Sequence, residues 1–208
     1  MPLQLLPQDM IFLIPAVLIA LTVHEFAHAF ASFRLGDPTP KWQGRLTLNP
    51  IAHIDPMGLI MLVLFRFGWG RPVEIDASYY RNRRLGVMLV SLAGPVANVI
   101  TAFVLLVALV FVRAGFMATL LLRAFELNIF LAVFNLIPIP PLDGSKILAS
   151  LLPPRLSYQY SQFLGQWGLL LLILLVATGG TRIIINQFYN PIVRVLVFIV
   201  STLMRPFL

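Results

Sequence analysis

Cysteine is absent from the 208 residues, which excludes disulfides and thiolate metal ligands and leaves His, Asp and Glu as the available protein ligands for a metal. Charge is scarce as well. Only 11% of the residues are charged, and the chain holds 8 acidic residues and 3 histidines. With 59% hydrophobic residues and a mean hydropathy of +0.91, it has too little polar surface to wrap a soluble core. No stretch is long and polar enough for a separate soluble domain, so residues 1–208 are expected to form one membrane domain. The 15 basic residues give a formal charge of +7. Because they are spread over connections between apolar runs, they point to membrane topology and not to nucleic acid.

About 20 apolar residues cross a bilayer as a helix, and residues 11–33, 85–112, 116–137, 164–177 and 183–203 are candidate spans. The expected fold is an all-α polytopic membrane protein with about five transmembrane helices. The last span is interrupted by Asn186, Asn190, Pro191 and Arg194, and a helix lying on the membrane would read similarly. Residues 57–67 are apolar but short and run into Gly68-Trp69-Gly70-Arg71-Pro72. A re-entrant or β-rich membrane-associated element is expected there.

Arg34, Lys41, Arg45, Arg66, Arg71, Arg81, Arg83 and Arg84 all fall in the first connection, whereas the first ten residues hold no Lys or Arg. The positive-inside rule then puts the N-terminus outside a cell membrane and residues 34–84 in the cytoplasm. Alternation puts Lys146, Arg155 and Arg205 inside and Arg113 and Arg182 outside.

Inside the first span lies His24-Glu25-Phe26-Ala27-His28, the pattern H-E-x-x-H. Residues four apart share a helix face, so both imidazoles can reach one ion, with Glu25 beside it to activate water. Cleavage of this span as a signal peptide would remove the motif, so it is expected to be retained. Ionisable groups in a span cost about 2.5 to 3.5 kcal/mol each, and three within five residues require a compensating partner such as zinc. A buried polar cluster that only joins helices is the bland alternative.

A catalytic zinc normally has three protein ligands and an open position, so one ligand must come from elsewhere. Asp143 is the leading candidate. It lies in Asn135-Leu-Ile-Pro-Ile-Pro-Pro-Leu-Asp-Gly144, where three prolines in four residues must break a helix and Gly144 permits close approach. Pro-Leu-Asp-Gly also reads as a plain turn, and His53 and Asp55 compete as ligands from residues 49–58.

The motif at residues 24–28, Asn49-Pro50 through His53-Ile54-Asp55-Pro56, Gly94-Pro95 through Asn98, and Asn135 through Leu142-Asp143-Gly144 together resemble the site-2 protease family of intramembrane metalloproteases. The resemblance covers roughly residues 10–150. It implies that His24, His28 and Asp143 bind Zn2+, that Glu25 is the general base, and that Asn98 holds the substrate or polarises its carbonyl. The chain looks like a minimal member without PDZ or CBS domains. The implied function is hydrolysis of peptide bonds in or near transmembrane segments, with a membrane-protein substrate and the lipid bilayer as partners.

On this reading the active site faces the cytoplasmic side, and residues 57–75 offer an extended substrate a strand edge. The alternatives are a metal transporter and a non-catalytic metal-binding protein. Glu25 argues against both, since neither needs an acid beside the ion that does not ligate it.

Overall fold

The computed structural model describes residues 10–65, 68–112 and 114–205. Helix α1 (Met10–Arg34) is followed by the short α2 (Thr39–Trp42) and by α3 (Pro56–Phe65). Then come α4 (Arg83–Val110), α5 (Phe116–Asn135), α6 (Asp143–Leu151), α7 (Pro154–Ala177) and α8 (Gly180–Leu203). Helices α1, α4, α5, α7 and α8 are long and apolar enough to cross a membrane. The five expected spans are therefore found. The fourth begins about ten residues before its apolar core, because Pro154 at the first helical position starts a turn that polar residues continue.

Helices α1, α4 and α5 pack against one another, and spacing explains how. The buried face of α1 includes Ala16, Ala20, His24, His28 and Ser32, every fourth residue. On α4 it includes Gly86, Val90, Gly94, Asn98 and Ala102, again every fourth residue. Both rows are dominated by small side chains, which let backbones approach where lipid supplies no hydrophobic drive between helices. Phe125, Ile129 and Val133 of α5 close an apolar cluster with Ala102 of α4 and with Ile185 and Leu196 of α8. Outward side chains such as Ile183 and Phe198 are exposed, as lipid-facing positions should be.

Of the re-entrant or β-rich element expected at residues 57–67, the described part is a short helix and not a strand. Pro56–Phe65 is helical, because Asp55 Oδ1 accepts from the Met57 and Gly58 N–H groups and Pro56 supplies a preset φ. Extended pairing is confined to one antiparallel bridge between Ile54 and Gly70, with no strand among the described residues. The charges expected at Arg66 and Arg113 and the expected placement of the first nine residues, like residue 67, lie outside the described residues.

The connection from α1 to α4 is tied to the end of α1. Asp37 is fully buried and accepts from Ser32 Oγ at 2.7 Å, Thr39 N–H at 2.9 Å and Asp76 N–H at 2.8 Å. Burial alone would raise its carboxyl, and these donors outweigh it and lower it below the usual range. Ser32 Oγ also lies 2.6 Å from Tyr80 Oη, which brings the end of the connection back to α1. Further along α1, the Val73 N–H of the same connection donates to Glu25 Oε2 at 3.0 Å.

Candidate metal centre

His24 and His28 sit on one face of α1, ten and six residues before its Arg34 end, so His24 lies about 15 Å along the axis from that end. That is roughly half the thickness of a hydrocarbon core of about 30 Å. Asp143 comes from α6, which packs against α4. Residues 136–142, with Pro138, Pro140 and Pro141, break the chain between α5 and α6 and deliver Asp143 as the first residue of α6. Gly144 is packed against the carbonyls of Leu136 and Ile137, where any Cβ would collide with backbone. The Asp-Gly pair is therefore needed for the approach.

The Nε2 atoms of His24 and His28 lie 3.0 Å apart, and Asp143 Oδ2 is 3.1 Å from the first and 3.0 Å from the second. Ligand bonds of about 2.0 to 2.1 Å at tetrahedral angles put ligand atoms about 3.3 Å apart, so this triangle fits one small ion with a fourth position left over. Two imidazole nitrogens and a carboxylate oxygen form a common ligand set for catalytic zinc.

The ring orientations are fixed from behind. His28 Nδ1 donates to the Val90 carbonyl at 2.7 Å, and a carbonyl can only accept. His24 Nδ1 donates to Asn98 Oδ1 at 2.7 Å. Asn98 Nδ2 is itself committed to the Ala20 carbonyl at 2.9 Å and to Asn128 Oδ1 at 2.8 Å, which turns Oδ1 toward the imidazole. Both rings so tied present the Nε2 lone pair to an ion.

A cavity of about 110 Å³ adjoins this triangle. Its walls include His24, Glu25, His28 and Asp143, with Asn135 from α5 and Val73 from the connection. Glu25 Oε2 accepts from the Val73 N–H at 3.0 Å. Lys146 stands at the rim, 3.8 Å from Asp143 Oδ1.

Of the sequence-derived candidates, His24, Glu25, His28 and Asp143 meet at this cavity. Asn98 does not fit a substrate-binding role: it is fully buried behind His24, with its oxygen and nitrogen engaged by protein groups. Asn135, which opens the proline-rich run, lines the cavity without a role expected from the sequence, and its Nδ2 donates to the Leu131 carbonyl at 3.0 Å. Its sequence signal is its place as the last helical residue before the break. His53 and Asp55 stand apart from the ligand group. His53 Nε2 donates to the Thr47 carbonyl at 2.8 Å, and Asp55 accepts from the α3 N-terminus and from Trp69 Nε1 at 3.1 Å.

Comparison with known proteins points the same way. The sequence model described as peptidase family M50 matches residues 111–175, a span that includes Asp143. The "Putative zinc metalloprotease YwhC" of Bacillus subtilis is 38% identical over 195 residues, covering 88% of this chain and 86% of that protein. The "Putative zinc metalloprotease Rip2" of Mycolicibacterium smegmatis is 35% identical over 181 residues, covering 81% and 67%. The "Putative zinc metalloprotease MJ0611" of Methanocaldococcus jannaschii is 42% identical over 60 residues, covering 28% and 31%. No solved structure matches the chain.

Proposed function

The chain belongs to peptidase family M50, the site-2 protease family of membrane zinc metalloproteases, and from that premise we propose that it is an endopeptidase hydrolysing peptide bonds in or near transmembrane segments of other proteins, the chemistry of regulated intramembrane proteolysis. One observation carries the reading: the ligand atoms of His24, His28 and Asp143 converge on a helix long and apolar enough to cross a membrane, beside a cavity that also takes in Glu25. These three residues hold Zn2+, and the whole chain acts as one protease domain. Bound zinc supplies Lewis acidity, making water a better nucleophile and drawing charge from the scissile carbonyl.

The remaining work belongs to side chains. Glu25 takes a proton from the attacking water and returns it to the leaving amine. Asn135 lines the cavity and donates one Nδ2 hydrogen to the Leu131 carbonyl at 3.0 Å, which leaves its second N–H for the carbonyl where negative charge develops. Helical substrates have their carbonyls in hydrogen bonds, so a substrate segment unwinds before attack, and the irregular backbone lining the cavity beside Glu25 offers it an edge. The chain sits in the cell membrane with its N-terminus outside and this cavity toward the cytoplasm, in keeping with the positive-inside rule.

Glu25→Gln tests the assignment. The amide is nearly isosteric but cannot accept the proton, so the variant should keep its zinc and lose about 10² to 10⁴ in cleavage of a model membrane-spanning substrate. Undiminished turnover at full zinc occupancy removes Glu25 from the mechanism.

A further inference from the structure

Arg45 is only 3% exposed, and no carboxylate lies within ion-pair distance of it among the described residues. A guanidinium does not shed its proton on burial, so its charge must be met by acceptors. Three backbone carbonyls meet it. Nη1 donates to Ala52, and Nη2 donates to Arg71 at 2.8 Å and to Pro72 at 2.7 Å. The same stretch is braced from behind, because Arg71 N–H donates to the His53 carbonyl at 2.9 Å.

The carbonyl of Pro72 and the N–H of Val73 belong to one peptide group. That group is planar and rigid, with its C=O and N–H pointing in opposite directions when trans. Arg45 holds its oxygen, and Glu25 Oε2 accepts from its N–H at 3.0 Å. A cation thus stands at the negative end of one peptide dipole and a carboxylate at the positive end, an arrangement in which each hydrogen bond polarises the other. Proline at position 72 fixes φ there and removes a competing donor, which narrows the orientations open to the peptide group.

We propose that Arg45 is a positioning residue for Glu25. Acting through the Pro72–Val73 peptide, it fixes one carboxylate oxygen and leaves the other for proton transfer. The inference rests on the reading of Glu25 as general base. It goes beyond stapling of the loop, because it requires a path from Arg45 to the carboxylate that one N–H completes.

The experiment uses the full chain in lipid nanodiscs, with zinc per chain, kcat and KM measured on a model membrane-spanning substrate. Arg45→Met should keep full zinc, since Arg45 touches no ligand, and should lose about 10² in kcat with KM within about twofold, as expected when a reacting group is misplaced by about 1 Å. Arg45→Lys, which keeps the charge but not the fork, should fall between. Val73→Pro deletes the N–H and should lower kcat to a similar extent. In the double variant, Arg45→Lys should then cost nothing further, because the path is already cut.

Wild-type kcat in Arg45→Met, multiplied losses in the double variant, or a loss carried wholly by KM would each overturn the proposal. If Arg45→Met does not fold, the lysine variant and the double-variant comparison decide alone. Failure of the underlying reading shows separately: full turnover in Glu25→Gln sinks both, whereas an inactive Glu25→Gln beside fully active Arg45 variants sinks only this one.

Discussion

Replacing Gly94 by alanine adds one methyl group at the place where α4 meets both imidazoles. That methyl carbon would stand 2.6 Å from His24 Cε1 and His28 Nε2 and 2.7 Å from His24 Nε2. Ordinary contacts are about 3.5 to 4.0 Å, so the overlap is close to 1 Å on three ring atoms at once. Neither ring can turn aside freely, since each is tied at Nδ1, to Asn98 or to the Val90 carbonyl. The helices must separate or those hydrogen bonds must break, and either change opens the ligand triangle.

Loss of a partner behind a ligand alone typically weakens metal binding about 10 to 100-fold, and displacing two ligands should cost at least about 10²-fold in zinc affinity. Overpacking should also lower stability by about 1 to 3 kcal/mol, against the roughly 1 kcal/mol that alanine gains over glycine in a helix. Gly165→Ala in α7 is the control, because nothing lies within 4 Å of its added methyl. It should keep full zinc and be neutral or slightly more stable. Zinc per chain across a series of zinc buffers, with thermal unfolding of the metal-free protein, reads both effects. Wild-type zinc affinity in Gly94→Ala would refute the convergence of His24 and His28 on one ion.

Asp143→Asn should lose zinc in the same titration, while His53→Ala and Asp55→Asn should retain it, since the latter pair bond to Thr47, α3 and Trp69. Wild-type zinc in Asp143→Asn with loss in either of the others would move the third ligand from Asp143 to residues 49–58. For orientation, single cysteines at positions 4 and 43 of a chain that has none should react with an impermeant thiol reagent from outside at position 4 only. Outside labelling at position 43 would invert the topology.

The ligand helix was legible because its chemistry is periodic: His24 and His28 share a face at any tertiary arrangement. Asp143 was legible for a different reason, since three prolines between residues 138 and 141 have to end a helix and free the chain to turn inward. The helix at residues 56–65 was not, because a short apolar run carries no period that separates helix from strand, and the deciding hydrogen bonds come from Asp55 just before it. The asparagines divide by depth. Asn98 lies on the every-fourth-residue row that packs α4 against α1, a row visible in the sequence, and membership of that row buries it behind His24 instead of opening it to substrate.

Arg45 marks where sequence reasoning stops. Counted with seven neighbours it is a topological charge, and that count gives the same answer whether its side chain points into water or into protein. Its partners are carbonyls, which every residue possesses, so no choice of residue type at positions 52, 71 or 72 records the contact. Only the burial of the guanidinium distinguishes a charge that sets orientation from one that holds a peptide group against Glu25. Since that burial is settled by how the connection packs on itself and against α1, a positioning role of this kind comes into view with the fold and not before it.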